Sequence, residues 1–247
     1  MNSSRKERLQ QIETATNYGR SYYLCQAFTL PSREITLLAG RINLHPNHLT
    51  LCSLAIGLAA AWFFLKGSRW DLFTGGLLVY LSYVFDYADG QLARWTGRVS
   101  PLGGWLDQVS DRIKEFAVIG GLAWGDFKHT QDATVLGLGF VALFFLFMLE
   151  YYDQMSRKIP APAAPGTTES SVPASTLSRR PFVFDFTIDE QYAVYTAFAL
   201  AGQPRLLLEA VLFLAGFLLL YKPLKGWSRY YRSLREKAQM GDMKCRD

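Results

Sequence analysis

The sequence contains little cysteine. Its three cysteines, Cys25, Cys52 and Cys245, are odd in number and far apart among 247 residues, a pattern that excludes a disulfide framework and a cysteine-based zinc site. The first 17 residues are charged and lack the apolar core of a secretory signal peptide, so we expect no such signal. Basic residues exceed acidic ones only by 26 to 21 and form no recognition motif. We therefore expect no nucleic-acid partner.

Long apolar stretches are the main feature that the sequence does have. Half of the residues are hydrophobic, and they gather in blocks separated by short charged segments. A membrane-spanning helix needs about 20 mostly apolar residues. Six segments fit this description, at roughly 48–66, 71–92, 102–125, 132–155, 187–203 and 205–222. The sequence therefore predicts an all-α, polytopic membrane protein with six transmembrane helices. A soluble bundle with buried core helices is the alternative.

Basic residues are distributed unevenly over the segments that connect these helices. One set of connections comprises both termini, the region between helices two and three, and residues 156–186. It holds 22 of the 26 Lys and Arg residues. The other set holds only Lys66, Arg69, Lys128 and Arg205. Because positively charged loops remain in the cytoplasm, we predict a protein of the cell (inner) membrane with both termini cytoplasmic.

Three further regions complete the predicted organisation. Residues 1–47 form a cytoplasmic N-terminus, in which residues 32–44 mix charged and apolar side chains like an amphipathic helix lying on the membrane surface. Residues 48–222 form the six-helix transmembrane domain, interrupted by a cytoplasmic linker at 156–186 that is rich in Pro, Ala, Ser and Thr. Residues 223–247 form a basic cytoplasmic tail that suits contact with membrane lipids.

Four aspartates lie close together in the sequence: Asp86, Asp89, Asp107 and Asp111. The first two are three residues apart and the last two are four apart, so each pair shares one face of a helix. If the chain turns between them, two antiparallel helices present four carboxylates to one point. Such a cluster at a membrane surface is costly unless it is neutralised, and Mg²⁺ binds through a few carboxylates together with substrate phosphates. The pattern indicates a metal-assisted reaction on a phosphorylated substrate.

The residues between these aspartates suit phosphate binding. Gly90 has no side chain and lets a ligand approach the backbone. Arg94 can bind a phosphate through two N–H groups. Ser100 followed by Pro101 is typical of the N-cap and first residue of a helix, and the positive end of that helix favours an anion nearby.

Eight residues of this stretch have a regular spacing: Asp86-x2-Asp89-Gly90-x2-Ala93-Arg94-x8-Gly103-x3-Asp107-x3-Asp111. The pattern resembles the signature of the CDP-alcohol phosphotransferase (CDP-alcohol phosphatidyltransferase) family, with every fixed position present. The resemblance covers residues 45 to about 115. It implies a membrane enzyme of six transmembrane helices, usually a homodimer, whose active site faces the cytoplasm and which displaces CMP from a CDP-linked donor with an alcohol.

The resemblance also implies roles for individual residues. Asp86, Asp89 and Asp107 would bind divalent metals, two ions of Mg²⁺ or Mn²⁺ in each active site. Asp111 would be the general base and a ligand of the second metal. The residues that would hold the CDP donor are Asn47, Thr50, Gly90, Arg94 and Ser100.

We therefore predict a transferase of phospholipid biosynthesis that moves a phosphatidyl, or another phospho-alcohol, group to an alcohol hydroxyl. CDP-diacylglycerol is the expected donor because a membrane-embedded site suits a lipid. The acceptor alcohol stays open, although nearby cations such as Arg112 slightly favour a phosphorylated one. Lys114 and Glu115 are candidates for an ion pair with each other. Two alternatives remain: a membrane prenyltransferase that binds pyrophosphate through Mg²⁺, and a non-enzymatic divalent-cation transporter.

Overall fold

The computed structural model describes residues 2–16, 22–156 and 188–244, and within these ranges the chain forms eight α-helices and no strand. The helices are α1 (Asn2–Ala15), α2 (Tyr22–Arg41), α3 (Pro46–Lys66), α4 (Arg69–Trp95), α5 (Pro101–Thr130), α6 (Thr134–Ser156), α7 (Ile188–Leu200) and α8 (Pro204–Lys244). The predicted all-α class is confirmed. All of the predicted linker at 156–186 except its first residue lies outside the described residues.

Three of the described helices are long and apolar enough to cross a membrane. They are α3, residues Thr134–Met155 of α6, and residues Pro204–Ser228 of α8. This number is smaller than the six predicted spans. Helices α4 and α5 have 27 and 30 residues, but their ionisable side chains lower their hydropathy, and α7 has only 13 residues. The charged residues of the candidate site thus make α4 and α5 less apolar than the three helices named above.

Side chains at the helix starts explain where two helices of the site begin. Ser100 Oγ accepts a hydrogen bond from Gly103 N at 3.0 Å, with Pro101 as the first helical residue of α5. This geometry confirms the predicted N-cap and leaves the other early N–H groups of α5 at its positive end. Helix α3 begins in a similar way, because His45 Nδ1 accepts from Asn47 N at 3.3 Å.

Helix α3 lies between α4 and α5, and each of these two helices makes its most extensive contact with it. The α3–α5 contact is close because α5 carries glycine where the backbones meet. A Cβ added at Gly125 would lie 2.0 Å from Phe64 O, and one added at Gly121 would lie 2.7 Å from Ala61 O. The aspartate-bearing helices therefore converge across a third helix instead of packing mainly on each other. This arrangement was not predicted.

The surface of the helical bundle exposes many large apolar side chains. The hydrophobic core joins buried residues of α3 to α8, such as Phe64, Ile119, Leu146, Tyr195 and Leu208. Side chains more than half exposed on the outer faces of the helices include Trp62, Trp70, Phe116, Phe140, Phe213 and Leu220. An apolar surface of this extent suits contact with lipid better than contact with water.

Helix α2 contains most of the predicted amphipathic segment but begins earlier than predicted. It runs from Tyr22 to Arg41 and packs against α4, burying Thr36, Leu37 and Ala39 while Leu38 remains 61% exposed. Helix α1 was not predicted. It packs on α2 and α4, and its ends are joined to α2 by ion pairs, including one between Arg5 and Glu34 at 2.8 Å.

Candidate active site

Three of the four aspartates bring their carboxylates together. Asp86 and Asp89 on α4 and Asp107 on α5 each offer an oxygen, and these oxygens lie within 4.8 Å of one another. Asp89 is buried, whereas Asp86 and Asp107 are partly accessible. Carboxylate oxygens are the ligands preferred by Mg²⁺ and Mn²⁺. The donor set at this point therefore fits a divalent metal ion.

Helix α3 supplies hydroxyl groups that hold two of these carboxylates. Thr50 Oγ1 donates to Asp89 Oδ2 at 2.5 Å, and Ser53 Oγ donates to Asp86 Oδ1 at 3.1 Å. Thr50 was expected to contact the CDP donor, and its contact in this structure is with a carboxylate. Ser53 had no signal in the sequence, because only the packing of α3 against α4 brings it to Asp86.

Lys114 lies at the centre of the cluster. Its Nζ is 2.6 Å from Asp86 Oδ1 and 3.0 Å from Asp111 Oδ1, and it donates to Ser53 Oγ at 2.9 Å. The side chain is only 1% exposed. The suggested pairing of Lys114 with Glu115 is wrong, because consecutive residues on a helix point in different directions. Lys114 instead bridges α4 and α5.

Asp111 is buried, with 9% of the residue exposed, close to the 7% of Asp89. It is not a member of the three-carboxylate group. It lies one helical turn beyond Asp107 on the same face of α5, and its Oδ1 contacts Lys114. The four predicted aspartates therefore form one charged region, in which three offer oxygens to a common point and the fourth is held behind them.

A second buried polar network joins α5 to α7 beside Asp111. Arg112 donates to Glu115 Oε2 at 2.5 Å, and Gln191 Nε2 donates to Glu115 Oε1 at 2.7 Å. Gln191 also donates to Tyr195 Oη at 2.6 Å. Gln191 is 76 positions from Glu115, so no local pattern in the sequence could have predicted this connection.

The residues expected to hold the CDP donor form two groups beside the carboxylates. On α4, the guanidinium group of Arg94 lies over Gly90, since a Cβ at Gly90 would be 3.2 Å from both of its terminal nitrogens. Arg94 Nε also donates to Ala15 O at 2.7 Å, at the end of α1.

The second group lies where α5 begins. A Cβ at Gly103 would be 3.1 Å from Ser100 Oγ and 3.3 Å from Asn47 Oδ1. Asn47 and Ser100 therefore flank Gly103 at the positive end of α5. Because Gly103 has no side chain, these two polar side chains can lie against the start of α5.

A comparison with protein families decides the classification. The model of the CDP-alcohol phosphatidyltransferase family matches residues 43–201, more than half of the chain. The chain belongs to this family. The match includes helices α3 to α7 and every aspartate of the site, so the resemblance noted in the sequence is confirmed. Helices α1, α2 and α8 lie outside the matched region.

Curated relatives of known name resemble only part of the chain. An archaetidylinositol phosphate synthase of Pyrococcus horikoshii is 32% identical over 108 residues, which are 44% of this chain and 55% of that protein. Another, of Aeropyrum pernix, is 39% identical over 101 residues, 40% of this chain and 47% of that protein. The chain thus spans about half the length of the curated relatives it matches.

Solved structures share the fold over a longer stretch. The crystal structure of Mycobacterium tuberculosis phosphatidylinositol phosphate synthase with CDP-DAG bound has a TM-score of 0.54 and 22% identity, covering 76% of this chain and 91% of that one. The same mycobacterial protein in complex with manganese and citrate has a TM-score of 0.57 and 21% identity, covering 78% and 87%. This similarity shows a common fold.

Proposed function

We propose that this chain is a metal-dependent CDP-alcohol phosphotransferase of phospholipid biosynthesis. It transfers a phosphatidyl-type group from a CDP-linked lipid, with CDP-diacylglycerol as the proposed donor, to an alcohol hydroxyl and releases CMP. The observation that carries the proposal is the convergence of Asp86, Asp89 and Asp107 from two helices, with Asp111 one turn further along α5. Membership of the family supports the same reaction.

The donor binds between the two groups of polar residues beside the carboxylates. Arg94 offers a guanidinium group to the diphosphate, and Gly90 beneath it leaves room for that guanidinium group. Ser100 lies at the start of α5 and the side chain of Asn47 in α3 lies beside it, where the N–H groups and the helix dipole favour an anion. Thr50 assists by orienting the carboxylate of Asp89.

Asp86, Asp89 and Asp107 hold two divalent ions, Mg²⁺ or Mn²⁺, with Asp111 as a further ligand. When bound, the metal neutralises the charge of the diphosphate and stabilises CMP as it leaves. A soft or thiolate-binding metal does not suit this set of oxygen donors. The manganese in the mycobacterial relative's structure supports the same preference.

Asp111 acts as the general base. As the acceptor oxygen bonds to the β-phosphorus, the bond from that phosphorus to the oxygen shared with CMP breaks, and CMP takes the electron pair. The proton of the acceptor hydroxyl passes to the carboxylate of Asp111. Since Lys114 lies 3.0 Å from Oδ1 of Asp111, Oδ2 is the oxygen that receives the proton.

The proposed acceptor is a phosphorylated inositol. The names of the archaeal and mycobacterial relatives support this choice. Arg112, which follows Asp111 in α5 and is paired with Glu115 and Glu150, is the cation proposed to bind the acceptor phosphate.

The proposed arrangement in the membrane has six crossings, formed by helices α3 to α8, with α2 along the inner surface. Helices α4 and α5 are long enough, because 20 residues at 1.5 Å each already span about 30 Å. Both termini and the site face the cytoplasm, as the distribution of basic residues favours. The functional unit is a homodimer, as in the family.

Release of CMP by the purified protein in detergent tests this function. We expect release that requires Mg²⁺ or Mn²⁺, CDP-diacylglycerol and one acceptor from a panel of inositol phosphate, inositol, glycerol phosphate and serine. Asp111→Asn should lower turnover about 100-fold or more. Asp126→Asn, the same substitution towards the other end of α5, should have little effect.

Two results would contradict the proposal at different levels. An Asp111→Asn protein with normal turnover would exclude Asp111 as the base. Absence of CMP release with every CDP-linked lipid and soluble donor would exclude the transferase function, and metal transport by the same protein in vesicles would then favour the transporter.

A further inference from the structure

Lys114 occupies a position that four helices build for its side chain. The stem crosses α3 at Gly57, where an added Cβ would lie 2.9 Å from Lys114 Cγ and 3.0 Å from Cδ. The ammonium group then reaches Asp86 on α4, and it lies 5.8 Å from the centre of the Tyr192 ring on α7. A larger residue at 57 would displace the lysine, so the absence of a side chain there is part of the site.

Burial of the lysine depends on its partners. Nζ donates hydrogen bonds to Asp86 and Ser53, and it also lies 3.0 Å from Oδ1 of Asp111 as an ion pair. A buried charge without partners is strongly destabilising. Lys114 and the two carboxylates therefore depend on one another, and each would be left uncompensated if the others were removed.

Asp86 belongs to two arrangements at once. It is a member of the three-carboxylate group that fits a metal ion, and its Oδ1 also lies 2.6 Å from the lysine ammonium. A divalent cation held by these carboxylates would be close to a fixed positive charge. The two positive charges would repel each other, because charges interact more strongly at the effective dielectric of a protein site than in water.

We propose that Lys114 acts as an internal cation of this site. It is a positioning residue that holds Asp86 and Asp111 in place when no metal is bound, and its charge lowers the affinity of the carboxylates for divalent metal. This inference rests on the proposed function, from which it takes the divalent-metal site formed by the carboxylates. It assigns a role to a residue that lies outside the aspartate signature.

The consequence is that stability and metal affinity respond to Lys114 in opposite directions. Without the lysine, the metal-free protein has four acidic groups close together with less positive charge to offset them, so it becomes less stable. The same four groups then attract a divalent cation more strongly. If Lys114 only filled space, its replacement would lower the stability of the protein and would not tighten metal binding.

Binding of Mn²⁺ to the purified full chain tests the proposal without donor or acceptor. Free Mn²⁺ is followed by electron paramagnetic resonance, and Tm is measured with and without the ion. We expect Lys114→Met to lower the Tm of the metal-free protein and to tighten Mn²⁺ binding by about tenfold or more. Mn²⁺ should therefore raise the Tm of this variant more than that of the unmodified protein.

Two further variants complete the experiment. Lys114→Gln keeps N–H donors but removes the charge, so it should tighten Mn²⁺ binding like Lys114→Met with a smaller loss of stability. Lys128→Met makes the same change at an exposed position of α5 and should alter neither property. Mn²⁺ affinity that is unchanged or weaker in both neutral variants at position 114 overturns the proposal.

The remaining outcomes are also decisive. If neither neutral variant yields folded protein at saturating Mn²⁺, the lysine is required even when metal compensates the carboxylates, and the proposal is overturned. If the unmodified protein binds no Mn²⁺ while Lys114→Met does, the internal cation is supported in its strongest form. If none of the proteins binds Mn²⁺, the metal site of the proposed function itself fails.

Discussion

Thr50 on α3 donates a hydrogen bond to Oδ2 of Asp89 on α4 over 2.5 Å, and both residues are buried. This contact connects a helix without carboxylates to the proposed metal site. It orients Asp89 towards Asp86 and Asp107, and the hydroxyl supplies a partner that a buried carboxylate needs.

Replacing Thr50 with valine should therefore weaken metal binding. Valine keeps the shape of threonine but cannot donate, and a hydrogen bond to a charged group contributes about 1.5–3 kcal/mol, so we expect Mn²⁺ affinity to fall about tenfold. Thr50→Ser retains the hydroxyl and should stay near the unmodified value. Equal losses in the valine and serine variants, measured by Mn²⁺ titration, would show that the methyl group matters and the hydrogen bond does not.

Helix α1 should affect binding of the CDP donor through Arg94. The guanidinium group donates to the carbonyl of Ala15 at the end of this helix, which holds it over Gly90. Deleting residues 2–16 should raise KM for the donor with a smaller change in kcat, because the arginine loses a fixed orientation before the donor binds.

The control for this deletion is Arg5→Gln, which breaks the exposed ion pair with Glu34 but keeps the Ala15 carbonyl. An exposed pair contributes little, about 1 kcal/mol at most. We expect this variant to keep the donor KM of the unmodified protein. A deletion protein with an unchanged donor KM would show that Arg94 is oriented without α1.

The contact between α3 and α5 should be sensitive to side-chain volume at Gly125. An added methyl group would lie 2.0 Å from the carbonyl oxygen of Phe64, so Gly125→Ala must separate the helices. We expect a loss of about 1–3 kcal/mol in stability. Gly120→Ala is the matched control on the same helix, because nothing lies within 4 Å of the added atom, and alanine there gains up to about 1 kcal/mol in helix propensity.

Tm in detergent, with and without Mn²⁺, distinguishes the two glycine variants. The Gly125 variant should have a lower Tm than the Gly120 variant under both conditions. Similar Tm values for the two would mean that the backbones of α3 and α5 are not in close contact at Phe64.

The buried hydrogen bond from Gln191 to Glu115 should stabilise the attachment of α7. Gln191→Leu removes the donor to a carboxylate oxygen inside the bundle, and an unsatisfied buried acceptor costs about 1–3 kcal/mol. Gln154→Leu makes the same change at an exposed position of α6 and should alter stability little. If both variants unfold at the same temperature, the bond to Glu115 does not contribute to stability.

Local features of the sequence were sufficient to predict the helical class, most helix positions and the carboxylate group. The spacing of Asp86 and Asp89 places both on one face of a helix, and Ser100 with Pro101 marks the start of the next. Both inferences depend on residues a few positions apart, which helical geometry alone relates. Only three of the six predicted spans lie in described helices that are apolar and long enough by composition, because α4 and α5 carry the charges of the site and α7 is short.

Contacts between distant parts of the chain were not predictable in this way. Lys114 stood next to Glu115 in the sequence and was paired with it on that basis, yet it reaches Asp86, 28 positions away. Ser53 and Gln191 belong to helices that carry none of the four aspartates of the site. Which of their faces meets α4 or α5 depends on helix packing, and packing depends on side chains along the whole contact.

The sequence by itself determined that this protein is helical, belongs by its aspartate motif to the CDP-alcohol phosphatidyltransferase family, and presents pairs of carboxylates on helix faces. The helical class and the paired carboxylates follow from the periodicity of a single helix, and the family follows from the resemblance of the aspartate motif. Only the tertiary structure decided that α3 lies between the aspartate-bearing helices and that a buried lysine joins Asp86 to Asp111. The physical reason is that a buried charge is stable only where several helices supply its partners together.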